Sequence, residues 1–252
     1  MLTLSSDFGS PYPAAMKGVI LQQTDARLVD VAHDFPRQDV RAAAFWLREV
    51  LPYFPPAVHL VVVDPGVGTG RAALAVRAGD HALVGPDNGV LVPVARALAD
   101  GDPAVFEVRI EDPESTTFHG RDVFAPAAAT VHEAGVDAFD ADPAFAPTDA
   151  YERLAFPDPE MRPDGATGEV LVVDGFGNAV TNVPGEAIRE RFGGTVRVDG
   201  EAVPARHTYA AVDPGQRLVT VGSHGNAELA VNRGRGDAAF GVAAGDPVEF
   251  SW

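Results

Sequence analysis

Along the first 135 residues, β-like runs alternate with helix-like ones, and no other feature restricts the fold as much. LTLSSD, RLVDVAHD and VHLVVVD read as strands, with YPAAMKGVILQQ and DVRAAAFWLREVLPYF falling between them as helices. Further strands read at AALAVRA, HALVG and AVFEVRI, and further helices at NGVLVPVARALAD and GRDVFAPAAATVHEAG. In the second helix Ala42, Ala43, Phe45, Trp46, Leu47, Val50 and Leu51 form one apolar stripe, the spacing of a helix that buries a single face. Strands separated by helices predict an α/β domain: a mainly parallel sheet covered on both faces by helices.

The pattern then changes. Residues 136 to 166 are rich in Pro, Asp and Ala without periodicity and read as a connector. Beyond it come short β-like runs bounded by Gly and Asn turns, GEVLVVDGFGNAVTNV, GTVRVDG, QRLVTVG, NAELAVN and DPVEFSW. Such spacing predicts a small all-β barrel or sandwich. The expected organisation is an N-terminal α/β domain over residues 1–150 and a smaller C-terminal all-β domain over residues 166–252, with no internal repeat.

Composition excludes several classes. There is no cysteine, so disulfides, thiolate zinc sites and cysteine nucleophiles are absent. No apolar run approaches the length of a membrane span, and MLTLSSDFGS has neither a basic start nor a long apolar stretch, so no signal peptide is visible. A cytoplasmic protein is expected. The 19 basic residues, of which Lys17 alone is a lysine, face 36 acidic ones, a net charge of −17. That field disfavours nucleic acid and anionic membranes and favours a cationic ligand. The simpler account is a solvation adaptation, such as life in high salt.

The residues with chemistry sit where strands end, the place where open α/β sheets bind ligands. Asp7 closes LTLSSD and is followed by Gly9. A turn or cap is the commoner role for such an Asp, and a carboxylate that receives a ribose diol is the other reading. VVVDPGVGTGRAA repeats the layout, with Asp64 and Arg71 at the two ends of a loop poor in side chains. It lacks the Gly-Lys-Ser/Thr of a Walker loop and the GxGxxG of a dinucleotide turn, so a phosphate cradle is a poor reading. A plain turn explains the glycines and leaves the flanking Asp and Arg unexplained. Of the seven histidines, His33 and His119 follow β-like runs and are candidates, while His59, His81 and His132 fit structural roles. No HExxH, paired-His or GxSxG pattern occurs, so neither a metal centre nor a serine elbow is expected.

SSDFG, AAMKGVI, YFPPAVHLVVVDPGVGTGR, GPDNG, TFHGRDVFAPAAA, DGFGNAVTN and SHGNAELAVNRG occur together and in order, from near residue 4 to near residue 240. Together they resemble the S-adenosylmethionine (SAM) hydroxide adenosyltransferases, relatives of the SAM-dependent chlorinases and fluorinases. The resemblance implies an N-terminal α/β domain, a C-terminal β-barrel, and a homotrimer whose active sites lie between one subunit's N-domain and a neighbour's C-domain. It implies hydrolysis of SAM at ribose C5′ to adenosine and methionine, with SAM as substrate and no cofactor or metal. By motif match Asp64, Arg71 and His119 fall on the set that handles water. Arg71 would stabilise developing hydroxide, and Asp64 and His119 would orient the water and accept or relay its proton.

Other positions carry over singly. Asp7 matches the ribose carboxylate, Asp174 and Ser223 match contacts at the methionine end, and Phe176 and Asn178 match the adenine region. Glu228 and Arg233 lie in the adjoining segment. Two departures touch this region: His224 stands where the fluorinase has an arginine, and Gly222 where an asparagine is common. Against the halogenating branch, Asp64 replaces a tyrosine, and His119 with Gly120 replaces a tyrosine and serine. A carboxylate there repels halide and favours water. Two other readings compete: a halide-dependent SAM lyase, separable by chloride dependence of the product, and a non-catalytic adenosine- or SAM-binding module, separable by any product at all.

Overall fold

The run VHLVV is buried at every position in the computed structural model, as a strand covered on both faces must be. The structure describes residues 1–99, 101–109 and 115–252, and the chain divides into two units, Met1–Ala155 and Phe156–Trp252. Asp100, at the end of the NGVLVPVARALAD helix, and Ile110, at the end of AVFEVRI, lie outside the described residues.

Unit 1 is built on seven strands, β1 (Leu2–Ser6), β2 (Leu28–Ala32), β3 (Val58–Val62), β4 (Ala73–Ala78), β5 (His81–Pro86), β6 (Ala104–Val108) and β7 (Phe145–Pro147). Four helices accompany them, α1 (Tyr12–Ile20), α2 (Val40–Val50), α3 (Val92–Leu98) and α4 (Ala125–Ala134). The sheet order is β2-β1-β3-β5-β4-β6-β7. The α/β class holds, but only the β2-β1-β3-β5 half is parallel; β4, β6 and β7 extend it in antiparallel fashion. Between Ala78 and His81 stand only Gly79, at φ 58°, and Asp80. Two residues close a hairpin and cannot hold the helix that a parallel crossover needs.

Alternation within the strands sorts the two faces. Leu2, Leu4, Leu60, Val62, Ala73, Ala75, Ala82 and Val84 share one core with Met16 and Ile20 of α1, with Ala128 and Val131 of α4, and with Phe124 just before it. The intervening Val61, Leu74, Val76 and Leu83 are buried too, on the opposite face as strand geometry requires. Helix α2 is capped by Asp39, whose Oδ1 accepts from Ala42 N at 2.9 Å, and packs against α3. His59 lies wholly inside, bonded to Thr3 Oγ1 (2.8 Å) and to His81 Nδ1 (2.9 Å). Burial, with His81 beside it, pushes its pKa down to about 3, so it is a neutral structural group.

The connector is less featureless than its composition implies. A 3-10 turn at Phe139–Ala141 and β7 lie within it, and Phe139 and Phe145 enter the core, Phe139 lying edge-on to Phe106 at 5.1 Å. A strand of three residues with Pro at its end is too short to show a period.

Unit 2 holds β8 (Glu160–Arg162), β9 (Gly165–Val173), β10 (Ala179–Pro184), β11 (Thr195–Val198), β12 (Glu201–Pro204), β13 (Arg217–Val221), β14 (Asn226–Val231) and β15 (Pro247–Ser251). Its order is β12-β11-β15-β9-β10-β14-β13, all antiparallel, with β8 added beside β9. The end strands meet at a bridge between Ala205 and Val219, where Arg206 N donates to Val219 O at 3.0 Å. The sheet thereby nearly closes into a barrel around Val170, Ile188, Val196, Leu229 and Phe250. This near-closure shortens the exposed edges that a sheet of this length would otherwise present.

Candidate active site

In unit 1 the chain leaves β3 through Val63 and turns at Asp64. The turn is tied locally, Val67 N to Asp64 O at 3.3 Å and Thr69 Oγ1 to Gly66 O at 2.7 Å. Gly68, at φ 80°, passes so close to the backbone of Thr116 that a Cβ would lie 2.8 Å from Thr116 O. Part of the loop's bareness is therefore steric, set by a neighbouring segment of the same unit.

Arg71 folds back along this turn. Its Nη1 donates to Ala72 O at 2.6 Å, its Nη2 to Asp64 Oδ2 at 2.5 Å and to His119 Nδ1 at 3.2 Å, and its guanidinium stacks 5.0 Å above the Phe124 ring. His119 comes from the start of a π-helical turn, Gly120–Phe124, that leads into α4; such turns are frequent at functional sites. The Arg71 and Asp64 side chains are 8% and 6% exposed and His119 is equally buried. Asp64 Oδ1 and Arg71 Nε are enclosed without a hydrogen-bond partner among the described residues. Burial raises the Asp64 pKa, and Arg71, His119 and the nearby Gly66 backbone N–H only partly oppose it.

Asp64 and His119, both bonded to Arg71, border a cleft of about 540 Å³ that Asp7, Tyr12, Gln38 and Phe118 also line. Asp7 Oδ2 accepts from Gln38 N at 2.6 Å, with Gln38 held at φ 61°. Its carboxylate is thus fixed at one oxygen. Phe8, Tyr12 and Phe118 stand edge-on to one another, at 5.5 to 6.2 Å between centroids, and give the cleft an aromatic wall that the sequence reading did not single out. His33 is spent elsewhere, on Ser6 Oγ (2.7 Å) and Asp30 (2.9 Å), and Asp30 also holds Lys17.

In unit 2 the turn between β9 and β10 is organised by Asp174. Its Oδ1 accepts from Phe176 N (2.9 Å) and Asn178 N (2.8 Å), and its Oδ2 from Asn178 Nδ2 (2.9 Å). Asn178 Nδ2 also donates to Tyr209 Oη at 3.3 Å, and Tyr209 donates to Glu228 Oε2 at 3.0 Å. Burial raises the pKa of Glu228, as does Asp174 nearby. Phe176 is 83% exposed, an aromatic ring left open beside this network. Ser223 and Arg233 stand apart from it: among the described residues Ser223 Oγ meets His224 Nε2 (3.4 Å), and Arg233 occupies a turn at φ 57°.

Family models for the SAM hydroxide adenosyltransferase N-terminal and C-terminal domains match residues 2–140 and 168–249. The chain belongs to the SAM hydroxide adenosyltransferase family. A relative from Salinispora tropica, named (R)-S-adenosyl-L-methionine hydrolase, is 43% identical over 99% of this chain and 97% of its own. One of the same name from Thermus thermophilus is 42% identical over 97% of each. Among solved structures, a conserved protein from Thermotoga maritima superposes with a TM-score of 0.83 at 32% identity, covering all of both chains. A Thermus thermophilus structure gives 0.79 at 39% identity, covering 99% of this chain and 98% of that one.

In this adenosyltransferase the hydrogen bonds fix more than positions. A guanidinium only donates, so His119 Nδ1 must accept from Arg71, and the imidazole proton sits on Nε2. His119 therefore offers a donor while Asp64 Oδ1 offers an acceptor. Tyr209, central to the unit 2 network, lies in RHTYAAVD between two strands, outside every short motif that carries the resemblance. Nothing in its local sequence marks it, because its role depends on β14 bringing Glu228 alongside. Among the described residues no group of three or more His, Asp and Glu could hold a metal ion, and no helix could cross a membrane.

Proposed function

We propose that this chain hydrolyses SAM at ribose C5′, releasing adenosine and methionine, and that it consumes the (R) sulfonium epimer named for its relatives. The observation that carries the reading is the enclosed, unpartnered Oδ1 of Asp64 beside the Arg71 guanidinium. Water bound there donates to Asp64 Oδ1 and accepts from His119 Nε2–H. As its oxygen bonds to C5′, the C5′–S bond breaks and its electron pair stays on sulfur, which leaves as the neutral thioether of methionine. The water's proton passes to Asp64 and then to solvent. Arg71 stabilises the hydroxide character that develops. A neutral leaving group needs neither a general acid nor a Lewis acid, so the reaction requires no metal or cofactor.

In the same reading Asp7 receives the ribose hydroxyls, Asp174 and Ser223 face the methionine end, and Phe176 and Asn178 receive adenine, with Glu228 and Arg233 beside them. Incubation with SAM, with and without chloride and with a chelator, should give adenosine of one mass in every case. A main product of 5′-chloro-5′-deoxyadenosine would assign the chain to the halogenating branch, and no product at all would leave a binding module.

The residues fall on two units, and we propose that each active site joins unit 1 of one subunit to unit 2 of a neighbour in a cytoplasmic homotrimer. Asp64→Asn and Asn178→Ala subunits should then regain part of the lost activity when mixed and reassembled. Verified mixed trimers without recovery would place the site within one subunit.

A further inference from the structure

Asn178 is 7% exposed, and both hydrogens of its Nδ2 have acceptors, Asp174 Oδ2 at 2.9 Å and Tyr209 Oη at 3.3 Å. Its Oδ1 has no partner among the described residues. The amide therefore offers an incoming ligand an acceptor and no donor.

The direction of this arrangement is set two residues away. An amide nitrogen only donates, so Tyr209 keeps its oxygen for Asn178 Nδ2 and gives its single proton to Glu228 Oε2. Glu228 is itself wedged in place, since a Cβ at Gly222 would lie 1.8 Å from Glu228 Oε1. A side chain at residue 222 would displace the carboxylate.

We propose that Tyr209 and Glu228 are positioning residues that lock the Asn178 amide with its carbonyl oxygen outward, so that unit 2 selects a ring bearing an exocyclic amine over one bearing a carbonyl. The proposal rests on the reading of this unit as the adenine side. A 6-amino purine donates to Asn178 Oδ1; a 6-oxo purine sets acceptor against acceptor and leaves both unpaired, which costs more than a missing contact. The open faces of Phe176 and Tyr209, 83% and 42% exposed, suit a planar ring of either kind and do not discriminate.

The test is calorimetric titration of the full-length protein with adenosine and with inosine, for the parent, Tyr209→Phe and Glu228→Gln. Tyr209→Phe frees one Asn178 hydrogen, and Glu228→Gln lets the new amide donate to Tyr209 and turn its proton onto Asn178. The parent should prefer adenosine by about tenfold or more, and both variants should lose at least about threefold of that ratio. In turnover of SAM, KM should rise while kcat stays within about twofold. A purely structural role would lower both nucleoside affinities alike and leave their ratio unchanged. A parent that prefers adenosine, with variants that keep the ratio, overturns the proposal alone. A parent that binds the two nucleosides alike, or neither, overturns the adenine reading and the proposal with it.

Discussion

Asp64→Asn lowers the turnover of SAM about a hundredfold or more, the scale on which a positioned base contributes. The substitution keeps the shape of the side chain and an oxygen for Arg71 Nη2, now 2.5 Å away, and removes only charge and basicity. Ribose and adenine are held by other residues in our reading, so KM should change by less than about threefold. Burial holds the Asp64 carboxyl above the ordinary aspartate value, and the base works only when ionised. In the parent, kcat should therefore fall as pH drops through that raised value, and Asp64→Asn should lack this acid limb. The sign for stability is opposite. A folded pKa above the unfolded one favours the fold below the unfolded pKa, and that contribution is lost as pH rises through the folded value. Asn keeps an oxygen for Arg71, but the buried guanidinium loses its counter-ion, so the variant's melting temperature should fall modestly. Turnover near the parent's would return the loop to a structural role; a large drop in melting temperature would show that the loss came from damage to the fold.

Arg71→Ala should cost both activity and stability. Arg71 joins Asp64, His119, the Ala72 carbonyl and the Phe124 ring, so its removal leaves a buried carboxylate alone. Breaking such a pair costs about 3 kcal/mol, the low end of the range because Asp64 can take up a proton instead. Turnover should fall by about 10²–10³, the loss expected when a donor aimed at developing negative charge is deleted. Arg71→Lys keeps the charge but not the planar fork, and should recover part of the stability with little of the rate. Urea unfolding and kcat on the three proteins separate these effects. An alanine variant as active as the parent would remove Arg71 from the chemistry.

Much of unit 1 was legible because its strands are buried on both faces and its helices on one, so their periods differ along the chain. The parallel half of the sheet ends at Gly79–Asp80, where two residues leave no room for a crossover helix. Asp64, Arg71 and His119 stand near strand or helix ends, which also fits turn or structural roles, and it is the resemblance to the family that groups the three. Tyr209 and the Phe8–Tyr12–Phe118 wall were not legible, because each becomes significant only through partners far away in the chain.

Local pattern thus determined which segments became strands and helices, where the α/β part gave way to the barrel, and which polar residues ended up at strand ends. These are properties of side-chain spacing and turn chemistry within a few residues. Tertiary structure alone decided the rest: that Arg71 reaches both Asp64 and His119, 48 positions apart from the latter, that Asp64 Oδ1 is enclosed without a partner, and that Tyr209 lies between Asn178 and Glu228. A pKa raised by burial, a fixed imidazole tautomer and a locked amide each depend on distance and on exclusion of water, and both are set by packing between segments that no local window of the sequence contains.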